Sequence, residues 1–381
     1  MQTLAAIVRA TEQPFEITTV DLDTPRPDEV QVRVIAAGVC HTDAIVRDQI
    51  YPTFLPAVFG HEGAGVVVAV GSAVTSVKPD DKVVLGFNSC GQCLKCLGGK
   101  PAYCEKFYDR NFACTRDDGS TAFSENGEQV GSHFFGQSTF ANYTNVSARS
   151  VVKVDDDVPL ELLGPLGCGL STGAGAILNS LGVRAGDTVA VFGTGAVGSA
   201  AIMAAAATGA TTIIAVDIHD SRLEMAKELG ATHTINSKDE NPAEKIKELT
   251  GDGVQFALDT TGVVAVTRQA ADSLAINGTV GLVGAPAPVR KPLLRLGLPL
   301  FAVGSSRRSL RATPSLRISS LAWFICGARA SSRSRSSCAP TRWSRSMMLS
   351  RIPRAARSLS PSLRSLKSKR FLLIDAYLQL N

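Results

Sequence analysis

The feature that most constrains the fold is a glycine-rich turn between an apolar strand and an apolar helix. Gly193, Gly195 and Gly198 follow the run Thr188–Phe192, and Asp217 ends the next β-branched run 19 residues after the last glycine. Such glycines permit a tight turn and the close approach of a pyrophosphate, and the N-terminus of the following helix attracts phosphate. An acid placed like Asp217 accepts hydrogen bonds from both adenosine ribose hydroxyls and repels a 2′-phosphate, so the pattern predicts NAD rather than NADP as the cofactor.

Strand and helix patterns alternate around this turn. They predict strands at 188–192, 211–216, 254–259 and 278–283, and helices at 195–208, 221–229, 242–249 and 264–274. Strict alternation is typical of a parallel sheet that helices cover on both faces. No charged residue occurs from 188 to 216, but glycines interrupt this stretch and its ends are β-branched, which favours strand, turn, helix and strand over a membrane span.

The first part of the chain has a β pattern instead. Short apolar or alternating runs at 31–35, 65–71 and 82–85 are separated by Gly/Pro turns, which predicts a small barrel-like β domain. We therefore predict an α/β protein with three parts. These are a β domain at 1–160, a doubly wound (Rossmann) dinucleotide-binding domain at 161–288, and a tail at 289–381 that follows neither pattern.

Four cysteines lie close together in the β domain. Cys90, Cys93, Cys96 and Cys104 fall within 15 residues, and four thiolates around one Zn²⁺ make a closed tetrahedral site. Because such a site has no open position, the run predicts a structural zinc rather than a catalytic one. The alternatives are free or disulfide-bonded thiols and an iron–sulfur cluster.

A second group of candidate ligands is dispersed along the chain. Cys40 follows a predicted strand, His61 precedes another, and Cys168 lies between two glycines near the domain boundary. Two cysteines and one histidine would leave zinc a fourth position for water or an alcohol, as in sites where the metal is a Lewis acid. The spacing alone does not join these residues into one site, since isolated His and Cys residues are common in protein cores.

Taken together, these motifs resemble those of the zinc-containing medium-chain alcohol dehydrogenases from the N-terminus to about Pro288. The stretches 40–49, 55–65 and 135–140 look most like the aryl-alcohol (benzyl alcohol) dehydrogenase branch. The resemblance implies a GroES-like catalytic domain, a Rossmann domain, and an oxidoreductase that converts a primary, aromatic alcohol to its aldehyde by hydride transfer to NAD. The alternatives are a dehydrogenase or reductase of terpenoid or aliphatic alcohols, and an inactive protein that binds zinc and NAD.

The resemblance also implies two Zn²⁺ per subunit and assigns their ligands. Cys40, His61 and Cys168 would bind the catalytic zinc. Glu62 would lie beside that zinc, and Asp43 would orient His61 through its other ring nitrogen, as metal-bound histidines generally require. The structural zinc would be bound by the clustered thiolates of Cys90, Cys93, Cys96 and Cys104.

Further roles follow from the same resemblance. Thr42 would take up the proton of the alcohol, and His41 would lie near the cofactor pyrophosphate. Arg222, five residues after the acid that reads the ribose, would lie beside the adenosine ribose. Phe134 and Phe135 would line the substrate pocket, although a place in the ordinary core is the alternative for both.

The charge divides the chain at the boundary of the tail. Residues 1–288 carry 20 basic and 33 acidic side chains, a formal charge of −13, whereas residues 289–381 carry 19 basic side chains and one acid, a formal charge of +18. The 19 serines and 16 arginines of the tail suit a disordered segment, or one that binds nucleic acid or an acidic partner.

We favour a third interpretation, in which this tail is translated out of frame. Synonymous codons for 316–328 and 332–363, read from the third base, allow strings that resemble the family's usual C-terminus. A chain with this tail would lack the last strands of the cofactor domain and the contact through which the family forms homo-oligomers. We therefore predict poor folding and weak activity for it.

The expected location and partners follow from the N-terminus and the cysteines. Residues 1–8 lack the pattern of a signal peptide, which predicts a cytoplasmic protein whose clustered cysteines bind metal. The expected partner is a small alcohol or aldehyde, with no membrane and no nucleic acid.

Overall fold

The computed structural model of the chain describes residues 1–283 and the two-residue strand Ser315–Leu316. Residues 284–314 and 317–381 lie outside the described part, so the predictions for the tail at 289–381 fall outside it apart from that strand. All described residues belong to one unit, Met1–Ala328.

The described part contains sixteen strands. They are β1 (Gln2–Val8), β2 (Glu16–Leu22), β3 (Glu29–Gly38), β4 (Ala57–Val58), β5 (Glu62–Val70), β6 (Lys82–Leu85), β7 (Phe123–Glu125), β8 (Glu128–Val130), β9 (Tyr143–Ser147), β10 (Val151–Lys153), β11 (Thr188–Phe192), β12 (Thr212–Asp217), β13 (His233–Asn236), β14 (Val254–Asp259), β15 (Leu274–Leu282) and β16 (Ser315–Leu316). Its eight α-helices are α1 (His41–Arg47), α2 (Leu94–Leu97), α3 (Phe107–Phe112), α4 (Gly169–Gly175), α5 (Ala196–Thr208), α6 (Asp220–Glu228), α7 (Pro242–Thr250) and α8 (Val264–Asp272).

Two antiparallel sheets form the first part of the chain. One has the strand order β4-β1-β2-β7-β8 and the other the order β10-β6-β5-β3-β9. Val30, Val32 and Val67 on β3 and β5 are fully buried in one apolar cluster. Alternating apolar positions form strands because successive side chains point to opposite faces, so that one face can pack into a core. The β pattern predicted for this part of the chain is confirmed.

A six-stranded parallel sheet with the order β13-β12-β11-β14-β15-β16 forms the second part. Along β11, Val189 and Val191 pack into one apolar cluster, and Ala190 and Phe192 pack into another on the opposite face. Burial on both faces explains why these strands are continuously apolar. The strand order reverses between β11 and β14, and ligands of such sheets bind at the carboxyl ends of the strands at this point. The predicted doubly wound α/β fold is confirmed.

The uncharged stretch from 188 to 216 forms β11, α5 and β12, as predicted. Helix α5 is apolar because it is packed on several sides, with Ala201, Ile202, Ala204 and Ala205 all fully buried. Within residues 1–283, no helix combines the length and apolar character needed to cross a membrane.

Two details of the sheet differ from the prediction. The short strand β13 is not predicted, because only Ile235 of its residues is buried and no apolar alternation marks it. Strand β15 begins at Leu274 instead of 278, since Leu274 pairs with Val254 before the register jumps to Thr279 opposite Phe256. The residues skipped at this irregularity break the periodicity by which a strand is recognised.

Candidate functional site

Three elements bring the dispersed ligands together. Cys40 caps α1 directly after β3, and Cys168 precedes α4. His61 directly precedes β5, and Glu62 is its first residue. The ligand atoms of these four residues all lie within 4.8 Å of one another. His61, Glu62 and Cys168 are buried. The structure thus joins into one cluster residues that spacing alone could not connect.

The geometry of this cluster fits zinc. The two thiol sulfurs of Cys40 and Cys168 are 3.7 Å apart, too far for a disulfide bond of about 2.05 Å. Zn–S bonds of about 2.3 Å at tetrahedral angles place two sulfurs about 3.8 Å apart. Two sulfurs and one imidazole nitrogen are a ligand set that zinc prefers and that leaves a position open for chemistry.

Asp43 lies against the ring of His61. Its Oδ1 lies 2.9 Å from His61 Nδ1 and accepts a hydrogen bond from the Gly60 amide at 3.2 Å, and its Oδ2 accepts one from the Cys40 amide at 2.9 Å. Because Nδ1 is engaged by Asp43, a metal would be bound through Nε2. One buried carboxylate therefore ties together the main chain of one ligand and the side chain of another.

Hydrogen bonds and burial set the protonation of the cluster. The hydrogen bond with Cys168 lowers the pKa of the Cys40 thiol well below its usual range, whereas burial raises the pKa of the Cys168 thiol. Burial alone would lower the pKa of the His61 imidazole, but the charge and the hydrogen bond of Asp43 raise it well above its usual value. Metal binding therefore displaces protons from this cluster.

Glu62 connects the metal cluster to the cofactor domain. Its Oε1 accepts a hydrogen bond from the Gly169 amide at 3.1 Å, and burial raises the pKa of its carboxyl group. A Cβ at Gly169 would lie 3.5 Å from both Glu62 Oε1 and the Cβ of Ala196, the first residue of α5. Gly169 therefore lies between Glu62 of the metal cluster and the turn that is predicted to bind the dinucleotide.

Two predicted residues occupy the first turn of α1. The Thr42 hydroxyl lies 3.6 Å from the sulfur of Cys40, beside the metal cluster. His41 is exposed at the start of the same helix. The Thr42 hydroxyl thus lies beside the metal cluster, and His41 lies at the surface of the same helix.

The second metal cluster is formed by Cys90, Cys93, Cys96 and Cys104. Their sulfurs all lie within 4.8 Å of one another, and those of Cys90 and Cys96 are 3.9 Å apart. All four are free thiols rather than disulfides. Hydrogen bonds from the backbone of Gln92 and Cys93 lower the pKa of the Cys90 thiol to about 6. Burial raises the pKa of the Cys104 thiol to about 12. This arrangement fits a closed zinc site with four sulfur ligands.

The glycine turn has the geometry that its motif predicts. Gly193 has a φ of +84°, in the left-handed region that favours glycine. A Cβ at Gly198 would lie 1.9 Å from the carbonyl oxygen of Gly193, so only glycine allows α5 to begin against this strand. A Cβ at Gly195 would meet no described atom within 4 Å. The space next to Gly195 is therefore open for a phosphate at the N-terminus of α5.

Asp217 ends β12 beside this turn. Its Oδ2 accepts hydrogen bonds from the amide and the hydroxyl of Thr194 at 2.8 and 2.9 Å, and its Oδ1 accepts one from the Ile218 amide at 2.8 Å. Burial works against ionisation, but these bonds outweigh it and lower the pKa of Asp217. Arg222 Nη1 lies 3.9 Å from Oδ2. An ionised carboxylate with an adjacent arginine thus lies where an adenosine ribose is expected.

Comparison with known proteins identifies the family. A model of the alcohol dehydrogenase GroES-like domain matches residues 26–156, and a model of zinc-binding dehydrogenases matches residues 196–319. A geraniol dehydrogenase of Castellaniella defragrans is 45% identical over 286 residues, which cover 74% of this chain and 76% of that protein. The chain belongs to the zinc-dependent medium-chain alcohol dehydrogenase family. Zinc and NAD(P) are the cofactors of this family.

Solved structures of this alcohol dehydrogenase family resemble the chain over the same extent. An alcohol dehydrogenase zinc-binding domain protein from Burkholderia ambifaria is 52% identical with a TM-score of 0.75, and the match covers 78% of this chain and 82% of that one. The benzyl alcohol dehydrogenase of Acinetobacter calcoaceticus is 47% identical with a TM-score of 0.73, with the same coverage of 78% and 82%. The GroES-like and Rossmann architecture predicted from the resemblance is confirmed.

The two phenylalanines predicted for the substrate pocket of this dehydrogenase lie against the metal ligand. Phe135 stacks on the His61 ring with centroids 4.6 Å apart, and Phe134 meets the same ring edge-on at 5.4 Å. Both are almost fully buried and also contact the ring of Phe112. The structure therefore places them beside the metal cluster, within an aromatic group that also belongs to the core.

Two buried amides of this dehydrogenase are missed by reasoning from the sequence. Gln137 and Asn111 are fully buried, and each holds main-chain groups close to one of the two metal clusters. No spacing or periodicity distinguishes a single polar residue in an irregular segment from a surface residue. Only its position inside the motif at 135–140, which carried the family resemblance, could have drawn attention to Gln137.

Proposed function

We propose that this chain oxidises a primary alcohol, preferably an aromatic one, to the aldehyde with hydride transfer to NAD. The observation that supports this most is the position of the cluster of Cys40, His61 and Cys168. It lies beside the Thr42 hydroxyl and the aromatic pair, and Glu62 connects it through Gly169 to the first turn of α5. Candidate metal ligands, a hydroxyl that can relay a proton, an apolar wall and the dinucleotide turn thus lie in one region of the molecule.

The residues of this region divide the chemistry among them. Zinc, when bound by Cys40, His61 and Cys168, supplies Lewis acidity that lowers the pKa of an alcohol. Thr42 accepts the proton of the substrate hydroxyl through a hydrogen bond and hands a proton onward by releasing its own, since its hydroxyl lies next to the ligand sulfur of Cys40. The buried rings of Phe134 and Phe135 exclude water from this side of the cluster. NAD provides the hydride acceptor.

The preference for NAD over NADP is argued from Asp217. Its lowered pKa keeps the carboxylate charged at neutral pH. A charged carboxylate at the end of β12 attracts ribose hydroxyls and repels a 2′-phosphate. Arg222, close to the same oxygen, would then contact the ribose rather than a phosphate.

Two observations point to different alcohols. The aromatic pair at the cluster and the likeness to the benzyl alcohol dehydrogenase of Acinetobacter calcoaceticus favour benzyl alcohol. The likeness to a geraniol dehydrogenase favours an unsaturated terpenoid alcohol instead. Both are primary alcohols with an adjacent π-system, which offers a flat apolar face to the rings.

A substrate and cofactor panel tests this proposal. Full-length, zinc-loaded protein is given benzyl alcohol, geraniol or hexan-1-ol with NAD or NADP, and reduced cofactor is measured by absorbance. We expect the highest kcat/KM with benzyl alcohol and NAD. A higher kcat/KM with geraniol than with benzyl alcohol would instead support a terpenoid alcohol as the substrate. Two bound zincs without turnover of any alcohol would instead support an inactive protein that binds zinc and NAD.

Location and assembly stay predictions. A cytoplasmic location is proposed from the cysteine usage alone. The homo-oligomer implied by the family resemblance depends on residues beyond 283, for most of which the structure gives no description.

A further inference from the structure

Gln137 is a buried polar residue to which the family resemblance assigns no role. It follows the short helical turn at 134–136 and has no exposed surface. Its main-chain carbonyl accepts a hydrogen bond from the Thr144 hydroxyl at 2.5 Å. Burying an amide side chain costs free energy unless each of its polar atoms is bonded. The hydrogen-bond partners of the Gln137 amide therefore indicate which groups this side chain positions.

All three side-chain bonds of Gln137 go to main-chain groups around the metal cluster. Its Nε2 donates to the carbonyl oxygen of His61 at 2.9 Å and to that of Gly86 at 3.1 Å. Its Oε1 accepts from the amide of Gly63 at 3.2 Å. The bonds to His61 and Gly63 bracket Glu62. One side chain thus fixes the main chain on both sides of a residue in the cluster.

The bond to Gly86 extends this hold toward Cys168. Gly86 directly follows β6, and a Cβ at Gly167 would lie 1.9 Å from the carbonyl oxygen of Leu85 and 3.7 Å from the Cα of Gly86. The segment that carries Cys168 therefore packs directly on the end of β6 to which Gln137 is bonded. Through the main chain alone, Gln137 couples the His61 segment to the surface against which Cys168 is placed.

The chemistry of these three bonds selects an amide. Two carbonyl oxygens require two N–H donors, and one main-chain N–H requires an acceptor, which a primary amide supplies on a single side chain. A methionine of similar size would leave three buried main-chain groups without this partner. Each such loss leaves a buried polar group unsatisfied and loosens the main chain around the cluster.

The backbone next to Gln137 is unusual in a way that agrees with a positioning role. Phe135 and Ser138 have φ values of +52° and +55°, in the left-handed region that side chains disfavour. Such strain persists where surrounding contacts over-determine the conformation, often at functional sites. Ser138 contributes through its hydroxyl, which accepts from the Phe134 amide at 2.9 Å and donates to the Val58 carbonyl at 2.7 Å.

We propose that Gln137 is a positioning residue for the metal centre, whose amide holds the main chain of His61, Gly63 and Gly86 in one arrangement. This inference rests on the proposed function, because it takes Cys40, His61 and Cys168 to be the ligands of the catalytic zinc. Gln137 touches neither zinc nor substrate and acts through the residues that do.

The chain offers a matched control in Asn111. This buried amide accepts from the Asn88 amide at 2.8 Å, and it donates to the carbonyl oxygens of Asn88 at 3.0 Å and Phe107 at 2.7 Å. It therefore makes the same set of bonds as Gln137, one accepted and two donated, but near the other metal cluster. Asn88 lies two residues before Cys90.

The experiment compares loss of the two metals from full-length protein loaded with Co²⁺. The sites differ in absorption, because charge-transfer bands grow with the number of thiolate ligands, two in one cluster and four in the other. Removing hydrogen-bond partners of metal ligands typically lowers metal affinity about 10- to 100-fold. If this loss lies in the dissociation step, we expect Gln137→Met, with a chelator present, to lose the metal of the two-thiolate site about 10- to 100-fold faster than wild type. We expect Asn111→Leu to leave that rate unchanged and to accelerate loss from the four-thiolate site.

A second variant covers the case in which Gln137→Met does not fold. Gln137→Asn keeps the amide but is one methylene shorter, so a smaller acceleration in the same direction is expected. Equal rates in Gln137→Asn and wild type, or parallel loss of both metals from the Gln137 variants, would overturn the positioning role. A wild-type protein that binds no metal with two thiolate ligands would overturn the proposed function as well. Normal metal loading and alcohol oxidation with unchanged loss rates would overturn the role of Gln137 alone.

Discussion

At the scale of single residues, the metal centre depends on side chains that do not themselves bind the metal. Asp43 ties the Cys40 amide, the Gly60 amide and the His61 ring to one carboxylate. Since two of these bonds go to the main chain, Asp43 sets the position of α1 relative to β5 as well as the orientation of the imidazole. The family resemblance implies that Asp43 orients the imidazole, and the structure adds that Asp43 also sets the position of α1 relative to β5.

Asp43→Asn tests this coupling. The amide cannot accept at both of its ends, so the bond to His61 Nδ1 or the bond to the Cys40 amide is weakened. We expect metal affinity at this cluster to fall about 10- to 100-fold, measured by competition with a chelator. Asp48→Asn is the control, because Asp48 ends the same helix and pairs with Arg47 away from the cluster. If Asp43→Asn bound metal as tightly as wild type, Asp43 would have no part in holding His61.

At the scale of elements, a buried ionic network fastens the segment before the aromatic pair to the β domain. Glu29 at the start of β3 accepts hydrogen bonds from Arg116 Nε at 2.6 Å and Nη2 at 2.9 Å, and its Oε1 lies 2.9 Å from His133 Nε2. Burial alone would raise the pKa of Glu29, but the bonds to His133 and Arg116 outweigh it and hold the pKa well below its usual range. His133 directly precedes Phe134, so this network anchors one end of the strained turn.

Because the pKa of Glu29 is lowered in the folded protein, the free energy of unfolding depends on pH in the acid range. A carboxyl group with a lowered folded pKa stabilises the fold above its unfolded pKa of about 4.3, and this contribution is lost as the pH falls through the folded value. We expect Glu29→Gln to lower the free energy of unfolding by about 3 kcal/mol at neutral pH, because it breaks a buried ion pair. The difference between the variant and the wild type should begin to shrink as the pH falls below about 4.3, where the unfolded chain takes up a proton, and should vanish only as the pH passes the folded pKa of Glu29.

Thermal unfolding midpoints between neutral and acid pH provide the measurement. Glu128→Gln serves as the control, because Glu128 is exposed on β8. A difference between Glu29→Gln and wild type that stays constant down to low pH would show that the Glu29 charge does not contribute.

The elements also show what could be predicted from the sequence and what could not. Apart from β13, the alternation from Thr188 to Asp259 was predicted nearly residue by residue, because buried parallel strands and their helices have distinct periodicities. The four clustered cysteines predict a metal site because all four ligands lie in one short segment of the chain. The cluster of Cys40, His61 and Cys168 needed the family resemblance, since the tertiary fold alone brings these segments together. Gln137 was not predicted, because main-chain partners leave no pattern in a sequence.

At the scale of the whole molecule, the described dehydrogenase is followed by a segment of different composition. Residues 289–381 carry a formal charge of +18 after 288 residues that carry −13. The zinc-binding dehydrogenase model matches as far as residue 319, and the geraniol dehydrogenase match covers 74% of the chain. The origin of this segment in a shifted reading frame stays a prediction.

The nucleotide sequence from codon 280 onward tests that prediction. We expect an insertion or deletion between codons 288 and 315 relative to an intact reading frame. We further expect a frame-restored protein to have a higher thermal midpoint and a higher kcat with benzyl alcohol than the chain as given, because the family's usual C-terminus would complete the cofactor domain. An uninterrupted frame, or equal midpoints and turnover for the two proteins, would contradict this prediction.

The central claim is that Cys40, His61 and Cys168 hold the zinc at which alcohol is oxidised. The most direct test measures zinc content and NAD-dependent alcohol oxidation together in Cys40→Ser and in Cys114→Ser. Cys114 is a matched control, because it is a buried free cysteine outside both clusters. We predict two zincs per chain and the turnover of the unsubstituted chain for Cys114→Ser, but one zinc and no measurable turnover for Cys40→Ser. A Cys40→Ser protein that keeps two zincs, or oxidises alcohol as fast as wild type, would show that Cys40 is not a ligand of the catalytic zinc.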